Sequence, residues 1–341
     1  MEKILGKTPQ ELEQVAVGCG LKPFAGRQIA RWLYVSRVRS IEEMSNISKS
    51  GREALASTFE TGVSAPIGRA VSSDGTVKYL FGVDNQAGSC IESVVIPDGD
   101  RRTLCVSSQA GCGMNCSFCM TGRGGFHSQL QAADILNQFI SIDEPEKLTN
   151  AVFMGMGEPL ANYGAVSKAI EVLTADWGFG WSPKRITVST IGVLPVLKQY
   201  LDEQKTHLAV SLHNPFGEER AQFMPVEKTW PLRDVIGLIR RYDWSGQRRV
   251  SFEYTMFAGW NDTKRHADAL IRLLKGLECR VNLIRFHKIP GFPRESSPQG
   301  VMEAFRDRLN ANGVTCTIRA SRGEDILAAC GLLAGETKNS L

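Results

Sequence analysis

The stretch that decides the fold reads Cys112-Gly113-Met114-Asn115-Cys116-Ser117-Phe118-Cys119 and places three thiols at the spacing C-x3-C-x2-C. Thiolates are soft ligands that select zinc, copper(I) or iron–sulfur clusters. Structural zinc sites almost always have four protein ligands, yet the nearest histidine, His127, lies beyond the run 120–126. We therefore expect an open site, in which three cysteines bind a metal centre and leave one coordination position free. A closed zinc site and a set of plain buried thiols are the alternatives.

An aromatic residue, Phe118, stands just before the last of these cysteines. In this form the motif resembles that of the radical SAM superfamily. The resemblance implies one 4Fe-4S cluster with three cysteine ligands, Cys112, Cys116 and Cys119. It also implies that the free iron chelates the amino and carboxylate groups of S-adenosylmethionine.

The composition is typical of a folded cytosolic protein that uses some of its cysteines. The 341 residues are 43% hydrophobic, enough for one large domain and an accessory one. No apolar run approaches the length of a membrane span, and residues 1–5 do not open a signal peptide. Nine cysteines in a reducing compartment favour metal binding or catalysis over a disulfide framework. We expect a cytoplasmic monomer with no membrane partner.

Residues 1–63 are predicted to form a small amino-terminal helical accessory domain. Thr8-Pro9-Gln10-Glu11 combines an N-cap residue, proline at the first helical position and a glutamate three residues after the cap, which predicts a helix start. The net charge of +4 is a weak argument for nucleic acid. Residues 22–39, however, carry five basic residues and no acid: Lys22, Arg27, Arg31, Arg37 and Arg39. This stretch is either a solvated helix face or an RNA-backbone contact.

The rest of the chain predicts a sheet. Residues 64–97 are predicted as a β-hairpin linker region, with strands over 77–81 and 89–96 and a turn at 84–88. From 98 to 335 short apolar runs alternate with amphipathic helical stretches, which implies parallel strands joined by right-handed crossovers. Residues 336–341 are a tail. The runs lie at 104–107, 151–154, 185–189, 208–212, 250–254 and 281–284, and the helical stretches at 131–142, 163–174, 193–203, 231–242, 264–276 and 299–312.

Six such units are too few for a closed eight-stranded barrel. We therefore predict an α/β fold whose core is a partial (β/α)6 barrel, open on one side, with the small helical domain before it. This core resembles that of the radical SAM superfamily.

Candidate ligand-binding residues follow the carboxyl ends of these strands, where ligands gather in parallel α/β proteins. The cysteine stretch follows the first strand, and Gly155-Met156-Gly157-Glu158-Pro159 follows the second. Ser189, Ser211-Leu212-His213 and Arg285-Phe286-His287 end the third, fourth and sixth strands. One pocket could collect all of them. By itself, however, a glycine-proline turn is mostly just a turn, and a histidine at a strand end is mostly a buried one.

Two further cysteines extend the resemblance. Cys105 lies in Thr103-Leu104-Cys105-Val106-Ser107-Ser108-Gln109, and Cys330 lies in Arg322-Gly323-Glu324-Asp325-Ile326-Leu327-Ala328-Ala329-Cys330-Gly331. Singly, each cysteine is more often a small buried hydrophobe than a nucleophile. Together with the cluster motif, M-G-E-P, S-L-H and V-N-L-I, these sequences closely resemble the RlmN/Cfr family of radical SAM adenine methyltransferases over residues 92–331.

The family resemblance implies a reaction that uses two molecules of S-adenosylmethionine per turnover. Cys330 would take a methyl group from the first, and a 5'-deoxyadenosyl radical from the second would abstract hydrogen from that methyl. The carbon radical would add to adenine, Glu92 would remove the proton there as general base, and Cys105 would attack Cys330 to form a disulfide and release methylated RNA.

The resemblance also implies the cofactor-binding residues. The turn with Gly157 and Glu158 would hold the methionine end of S-adenosylmethionine. His287 stands where many sequences of the RlmN branch have asparagine, but a histidine can still donate or accept a hydrogen bond, so it remains a cofactor-binding candidate. The other candidates are Ser189, Ser211, Leu212 and His213.

The substrates implied by the resemblance are RNAs with an unstacked adenine. They are an adenine in the peptidyl-transferase centre of 23S rRNA, methylated at C2, and the adenine next to the anticodon in certain tRNAs, with an electron donor such as flavodoxin or ferredoxin as a further partner. The long helical region favours this C2 branch, and the Cfr-like C8 branch, which uses the same cysteines, is the alternative. Alternatives of other classes are a zinc-dependent RNA-binding protein and a radical SAM enzyme that does not act on RNA.

Overall fold

The amino-terminal helices lie close to where the sequence predicts them. A computed structural model describes residues 1–83, 88–246 and 248–334, so the tail 336–341 and most of the predicted turn at 84–88 lie outside the described residues. At the two ends of the helical region, short strands pair in parallel and hold these ends together. In chain order the elements are β1 (Glu2–Lys3), α1 (Pro9–Gly18), α2 (Ala25–Arg31), α3 (Lys49–Thr58) and β2 (Phe59–Glu60).

The first helix, α1, begins with the predicted capping box. The amide of Glu11 donates to Oγ1 of Thr8 at 3.2 Å, and the amide of Thr8 donates to Oε2 of Glu11 at 2.6 Å. The first of these bonds satisfies a backbone donor of the first helical turn that has no partner within the helix. The prediction of a helix that starts at Pro9 is confirmed.

The basic stretch 22–39 is divided between the protein surface and a packing contact. Arg27 is exposed and pairs with Glu13 at 3.3 Å. Arg37 lies over the ring of Phe179, 4.7 Å from its centroid, which is the geometry of a cation–π contact. Arg37 therefore joins the helical region to the rest of the chain, and a solvated face does not describe the whole stretch.

One mixed sheet forms the body of the chain. Within the described residues it has ten strands, seven of them parallel to one another and three antiparallel. A second pair of strands, β7 and β8, lies apart from it, on either side of the cysteine stretch. The strands after β2 are β3 (Gly68–Val71), β4 (Val77–Gly82), β5 (Cys90–Asp98), β6 (Arg101–Cys105), β7 (Gln109–Gly111), β8 (Phe126–Gln129), β9 (Asn150–Phe153), β10 (Ile186–Thr190), β11 (His207–Ser211), β12 (Val250–Met256), β13 (Arg280–Arg285) and β14 (Thr315–Ile318).

The sheet is open. Its strand order runs from β3 at one edge through β4, β5, β6 and β9 to β14 at the other edge, and within the described ranges these two edges do not pair with each other. The predicted α/β fold with a partial barrel is confirmed, with two differences. A seventh parallel strand, β14, was not predicted. Residues 64–97 do not form a separate hairpin, because β5 pairs with β6 and brings Val94 opposite Cys105.

Helices connect the parallel strands at all six predicted positions. None of the helices within the described residues is long and apolar enough to cross a membrane. After α3 the helices are α4 (Met120–Arg123), α5 (Ala132–Ile140), α6 (Tyr163–Thr174), α7 (Leu194–Glu203), α8 (Gly217–Ala221), α9 (Leu232–Ile239), α10 (Lys264–Leu274) and α11 (Gln299–Ala311).

The two faces of the parallel strands have different surroundings. In β10, Ile186 and Val188 are fully buried in the core, whereas Thr187 and Ser189 line cavities. Successive side chains of a strand point to opposite faces, so the small and polar residues of each strand lie together on the inner face of the sheet. This alternation brings most of the predicted site residues to one side.

Candidate active site

Two adjoining cavities occupy the inner face of the sheet. The smaller has a volume of about 170 Å³ and is lined by the three cysteines of the opening stretch and by the strand-end residues Gly157, Glu158, Ser189, Ser211 and His213. The larger has a volume of about 960 Å³ and is lined by Cys105 and by residues from the amino ends of the strands. Cys119 and Cys330 line both cavities. The two cavities therefore meet at these two thiols.

The three cysteines surround one end of the smaller cavity. The left-handed backbone of Gly111 and Asn115, with φ of 72° and 53°, turns the loop between β7 and α4 back on itself. Burial raises the pKa of Cys112 to about 12 and the pKa of Cys116 well above its usual range. A buried thiolate is stable only beside positive charge, which bound iron supplies.

The three thiols supply a donor set that suits an iron–sulfur cluster. No disulfide joins the cysteines, all of which lie within the described residues, and Cys112, Cys116 and Cys119 all line the smaller cavity. A closed zinc site, the alternative from the sequence, requires four ligands about 2.3 Å or less from one centre. The donor set and its position on a cavity fit the three-cysteine cluster.

The glycine-rich turn after β9 packs tightly against the chain after β6. A Cβ on Gly157, whose φ is 98°, would lie 2.6 Å from Cβ of Gln109. The carboxylate of Glu158 accepts from the amides of Leu160 at 3.0 Å and Ile191 at 2.9 Å. Burial raises the pKa of Glu158 to about 7, although hydrogen bonds from Thr190 and these amides oppose the rise. Glu158 thus links the loops after β9 and β10 and shapes the cavity through them.

His213 has a backbone and a protonation state that the sequence did not predict. Its φ of 55° is left-handed, a conformation in which histidine is more frequent than most residues. Its Nδ1 accepts from the amide of Thr255 at 2.9 Å. Burial, with help from the charge of Arg220, lowers the pKa of His213 to about 3. A neutral imidazole therefore lines the smaller cavity.

Arg220 is a buried residue of this site that sequence reasoning missed. Its guanidinium donates to the carbonyl oxygens of Leu212 and Ser211, each at 2.9 Å, and forms an ion pair with Glu227. The arginine side chain is fully buried. Arg220 therefore fixes the backbone of the S-L-H motif. The sequence carries no signal of this role, because it shows only a single arginine on a short helix.

Two predicted cofactor-binding residues lie outside the smaller cavity. The side chain of Leu212 is fully buried and lines neither cavity. His287 lines the larger cavity, where its Nε2 lies 3.1 Å from Oγ of Ser321. The reason is local. Leu212 comes directly after Ser211, the last residue of β11, and points to the core, and the chain after β13 directs His287 into the larger cavity. Phe286 lines the smaller cavity instead.

The proposed thiol pair shares the larger cavity. Cys105 is at the end of β6 and only 8% exposed, whereas Cys330 is exposed. Burial and the neighbouring Cys330 raise the pKa of Cys105 to about 12, and the charge of Arg319 opposes the rise. Arg319 lies beside both thiols in the same cavity and forms an ion pair with Glu253 at 3.4 Å. Arg319 and Glu253 were not predicted as site residues.

Cys330 lies on an irregular segment, residues 319–334, which we call the Cys330 segment. The segment leaves the β14 edge of the sheet and is bonded to the β3–β4 turn at the other edge, where Asp325 accepts from Ser72. Farther on, the carbonyl of Gly331 accepts from the amide of Met120 at 2.8 Å. The segment therefore contacts both the opposite sheet edge and the helix that follows the cluster cysteines.

Glu92 lies on β5 and lines neither cavity. Its Oε1 pairs with Nζ of Lys78 at 2.8 Å, and its Oε2 accepts from the amide of Ala334 at 2.8 Å. Both side chains of the ion pair are at most 3% exposed. The only sequence signal for Lys78 is a single charge inside the apolar strand Val77-Lys78-Tyr79-Leu80-Phe81, and it was not interpreted as functional.

Two protein-family models match this chain. The Radical SAM superfamily matches residues 106–271, and the ribosomal RNA large subunit methyltransferase N-terminal domain matches residues 3–61. A protein named probable dual-specificity RNA methyltransferase RlmN, from Porphyromonas gingivalis strain W83, is 55% identical over 97% of this chain and 96% of its own. The chain belongs to the RlmN family.

Further relatives carry the RlmN name. The Parabacteroides distasonis protein of the same name is 56% identical over 97% of this chain and 96% of its own, and the dual-specificity RNA methyltransferase RlmN of Anaeromyxobacter dehalogenans is 40% identical over 97% of this chain and 92% of its own. The family predicted from the sequence is thus confirmed. Membership of the radical SAM superfamily implies an iron–sulfur cluster and S-adenosylmethionine as cofactors of RlmN proteins.

A solved structure supports the fold of this RlmN family member. The crystal structure of a radical SAM methyltransferase from Sphaerobacter thermophilus superimposes with a TM-score of 0.93 at 36% identity, covering 98% of this chain and 100% of that one. The helical region and the partial barrel are therefore a shared architecture. The roles of individual residues stay predictions.

Proposed function

We propose that this protein methylates C2 of an adenine in the peptidyl-transferase centre of 23S rRNA, and C2 of the adenine next to the anticodon in certain tRNAs. The observation that carries the proposal is the position of Cys330. Its thiol borders the cavity of the three cluster cysteines on one side and the cavity of Cys105 on the other. A methyl carrier must meet both a radical source and a second thiol, and this position provides both.

The cofactors would be one cluster held by Cys112, Cys116 and Cys119 and two molecules of S-adenosylmethionine per turnover. When bound, they supply a 5'-deoxyadenosyl radical after one-electron reduction, by a donor such as flavodoxin or ferredoxin, and later take back one electron. Gly157, Ser189, Ser211 and His213 line the smaller cavity, in which S-adenosylmethionine would bind. The neutral imidazole of His213 and the two hydroxyls suit the polar groups of this cofactor.

Cys330 first acts as a nucleophile. Its thiolate forms a bond to the methyl carbon of S-adenosylmethionine, the methyl–sulfonium bond breaks, and S-adenosylhomocysteine leaves. Removal of one hydrogen atom from this methyl group then leaves a methylene radical bonded to the sulfur of Cys330. The methylene radical adds to C2 of adenine. Ordinary methyl transfer would fail at this electron-poor carbon, so a radical on a carrier is needed.

Glu92 and Cys105 complete the reaction. The carboxylate of Glu92 takes the proton from C2 as the adduct loses one electron. The thiolate of Cys105 then attacks the sulfur of Cys330: a disulfide forms, the sulfur–carbon bond breaks, and its electron pair moves to the methylene carbon, which takes up a proton. A thiol reductant returns the disulfide to two thiols. Burial raises the pKa of Cys105 to about 12, so this thiol must lose its proton before it attacks.

The larger cavity supports RNA as the substrate class. Its single acidic residue within the described chain is Asp98, whereas six basic residues line it. A volume of about 960 Å³ admits an unstacked nucleotide, and the positive charge suits the phosphates on either side of it. Ribosomal and transfer RNA place the proposed reaction in the cytoplasm. The basic residues are Arg101, Lys184, Arg249, Arg285, Arg319 and Arg322.

The test is anaerobic incubation of the reconstituted protein with a 23S rRNA fragment, a reductant and methyl-labelled S-adenosylmethionine, followed by nucleoside mass analysis. We expect 2-methyladenosine from the wild type and a covalent protein–RNA adduct from Cys105→Ala. Formation of 8-methyladenosine would assign the protein to the C8 branch. Binding of zinc without any methyl transfer would overturn the proposal.

A further inference from the structure

The ion pair between Lys78 and Glu92 is buried on the inner face of the sheet. Cross-strand pairing places Lys78 opposite Val94, and Val94 opposite Cys105. Directly opposed residues share a face, and Glu92 is two residues from Val94 on the same strand. Lys78, Glu92 and Cys105 therefore project to the same side, the side of the catalytic cavities.

This ion pair is an unusual choice for a sheet interior. Taking an ammonium and a carboxylate out of water costs several kcal/mol per ion, and apolar residues of similar volume often stabilise a protein as well or better. At 3% and 1% exposure, Lys78 and Glu92 incur this desolvation almost fully. Stability alone gives no reason for the pair.

The two oxygens of the Glu92 carboxylate have different partners. Oε1 contacts Lys78, the second residue of β4, which pairs with β3 on one side and β5 on the other, whereas Oε2 contacts the amide of Ala334 in the Cys330 segment. Lys78 thus holds one oxygen to the rigid sheet, and the other oxygen faces the segment that bears the methyl carrier. Oε2 is therefore the carboxylate oxygen on the side of the segment that bears Cys330.

We propose that Lys78 is a positioning residue for the proton transfer from adenine C2 to Glu92. Its ammonium fixes the carboxylate rotamer through Oε1 and balances the negative charge, and the proton passes to Oε2. This inference rests on the proposed function, because it assigns a role within the step attributed to Glu92. It adds a residue on β4 to a reaction otherwise placed on β5, β6 and the Cys330 segment.

The test uses the full-length protein with its reconstituted cluster, the 23S rRNA fragment, a reductant and S-adenosylmethionine. Three quantities are followed: 5'-deoxyadenosine, the covalent protein–RNA adduct on denaturing gels, and methyladenosine. For Lys78→Met we expect 5'-deoxyadenosine and adduct to form at rates within about twofold of the wild type, and the adduct to decay at least about tenfold more slowly, as for Glu92→Gln. Lys78→Arg, which keeps the charge, should recover part of the decay rate.

The matched control is Lys3→Met, which removes another lysine held in an ion pair, with Asp134 at 2.7 Å. It should accumulate no adduct. If Lys78→Met turns over like the wild type, or loses 5'-deoxyadenosine and adduct together, Lys78 has no positioning role. Should Lys78→Met fail to bind a cluster, Lys78→Gln is measured with the same criteria. Absence of both adduct and methyladenosine from the wild type and Cys105→Ala would instead overturn the proposed function, and this inference with it.

Discussion

The carboxylate of Asp325 accepts a hydrogen bond from the hydroxyl of Ser72 at 2.6 Å and thereby joins the Cys330 segment to the turn between β3 and β4. The other oxygen of Asp325 accepts from the amide of Ser73 at 3.0 Å. The hydrogen bond from Ser72, followed by that from Ser73, lowers the pKa of Asp325. The side chain thus stays ionised at neutral pH, and both bonds persist.

Asp325→Ala should release the Cys330 segment at this point. We expect iodoacetamide to alkylate Cys330 about threefold faster or more, because an unanchored loop exposes its thiol more often. Methyl loading of Cys330 should slow in the same variant. Mass spectrometry of the Cys330 peptide measures both. Asp307→Ala, which removes an exposed carboxylate paired with the adjacent Arg306, is the control and should match the wild type.

Gly157→Ala should weaken S-adenosylmethionine binding without unfolding the protein. A non-glycine residue at φ of 98° costs about 1–3 kcal/mol, and the new Cβ would press on Gln109. If the turn holds the cofactor, affinity should fall roughly tenfold, which equilibrium dialysis measures. Gly164→Ala is the matched control, since a Cβ there meets nothing within 4 Å. Equal affinities for the two variants would contradict a cofactor-binding role for Gly157.

Arg220→Met should be among the most destabilising single changes. It leaves the carboxylate of Glu227 buried without its counter-ion and removes two donors to carbonyl oxygens of the S-L-H motif. Breaking one side of a buried ion pair costs about 3–5 kcal/mol. Urea denaturation of the cluster-free protein measures the loss. The double variant with Glu227→Gln should be more stable than Arg220→Met alone, because no charge is then left uncompensated.

The buried imidazole of His213 predicts a dependence of stability on pH. Its pKa is about 3 in the folded protein and 6.5 as the reference value, so the unfolded chain binds the proton more readily. The free energy of unfolding is therefore unaffected by His213 above about pH 6.5 and falls as the pH drops from 6.5 towards 3.

Between pH 7.5 and 5.0 the wild type should lose about 2 kcal/mol through this residue. His213→Asn keeps an acceptor for the amide of Thr255 and tolerates the left-handed backbone, but cannot titrate. Urea denaturation at the two pH values should show a correspondingly smaller loss for His213→Asn. A loss equal to that of the wild type would mean that other groups control the acid response.

The regular alternation of apolar runs and helices made the six central strand–helix units predictable from sequence. The strands towards the edges of the sheet were harder to predict. Strand β14 has the sequence Thr315-Cys316-Thr317-Ile318, with too few apolar residues to stand out, and it is defined by pairing with β13. Likewise, the pairing of β5 with β6 depends on a register that the local sequence of residues 64–97 does not contain.

The site residues also divide into those that could be predicted from sequence and those that could not. The cysteines and the glycine-rich turn were predictable because their spacing is local. Arg319 and Lys78 were not, because each acts on atoms that become neighbours only through the sheet or the irregular segment. Arg220 was not, because its role depends on the short helix α8 that turns it back onto the backbone of Ser211 and Leu212. Leu212 shows that a motif can also suggest too many site residues. It belongs to the S-L-H motif, yet its side chain points into the core.

The Cys330 segment crosses the opening of the sheet from one edge to the other. It begins after β14 and is bonded to the turn after β3, and these two strands are the opposite edges of the sheet. The distance between the two edge strands depends on how the sheet bends between every pair of neighbouring strands, which lie about 4.8 Å apart. Small changes of curvature anywhere in the sheet therefore add up at its edges, and the position of Cys330 depends on the sheet as a whole. Substitutions in strands far from any cavity can shift this position while the protein remains folded.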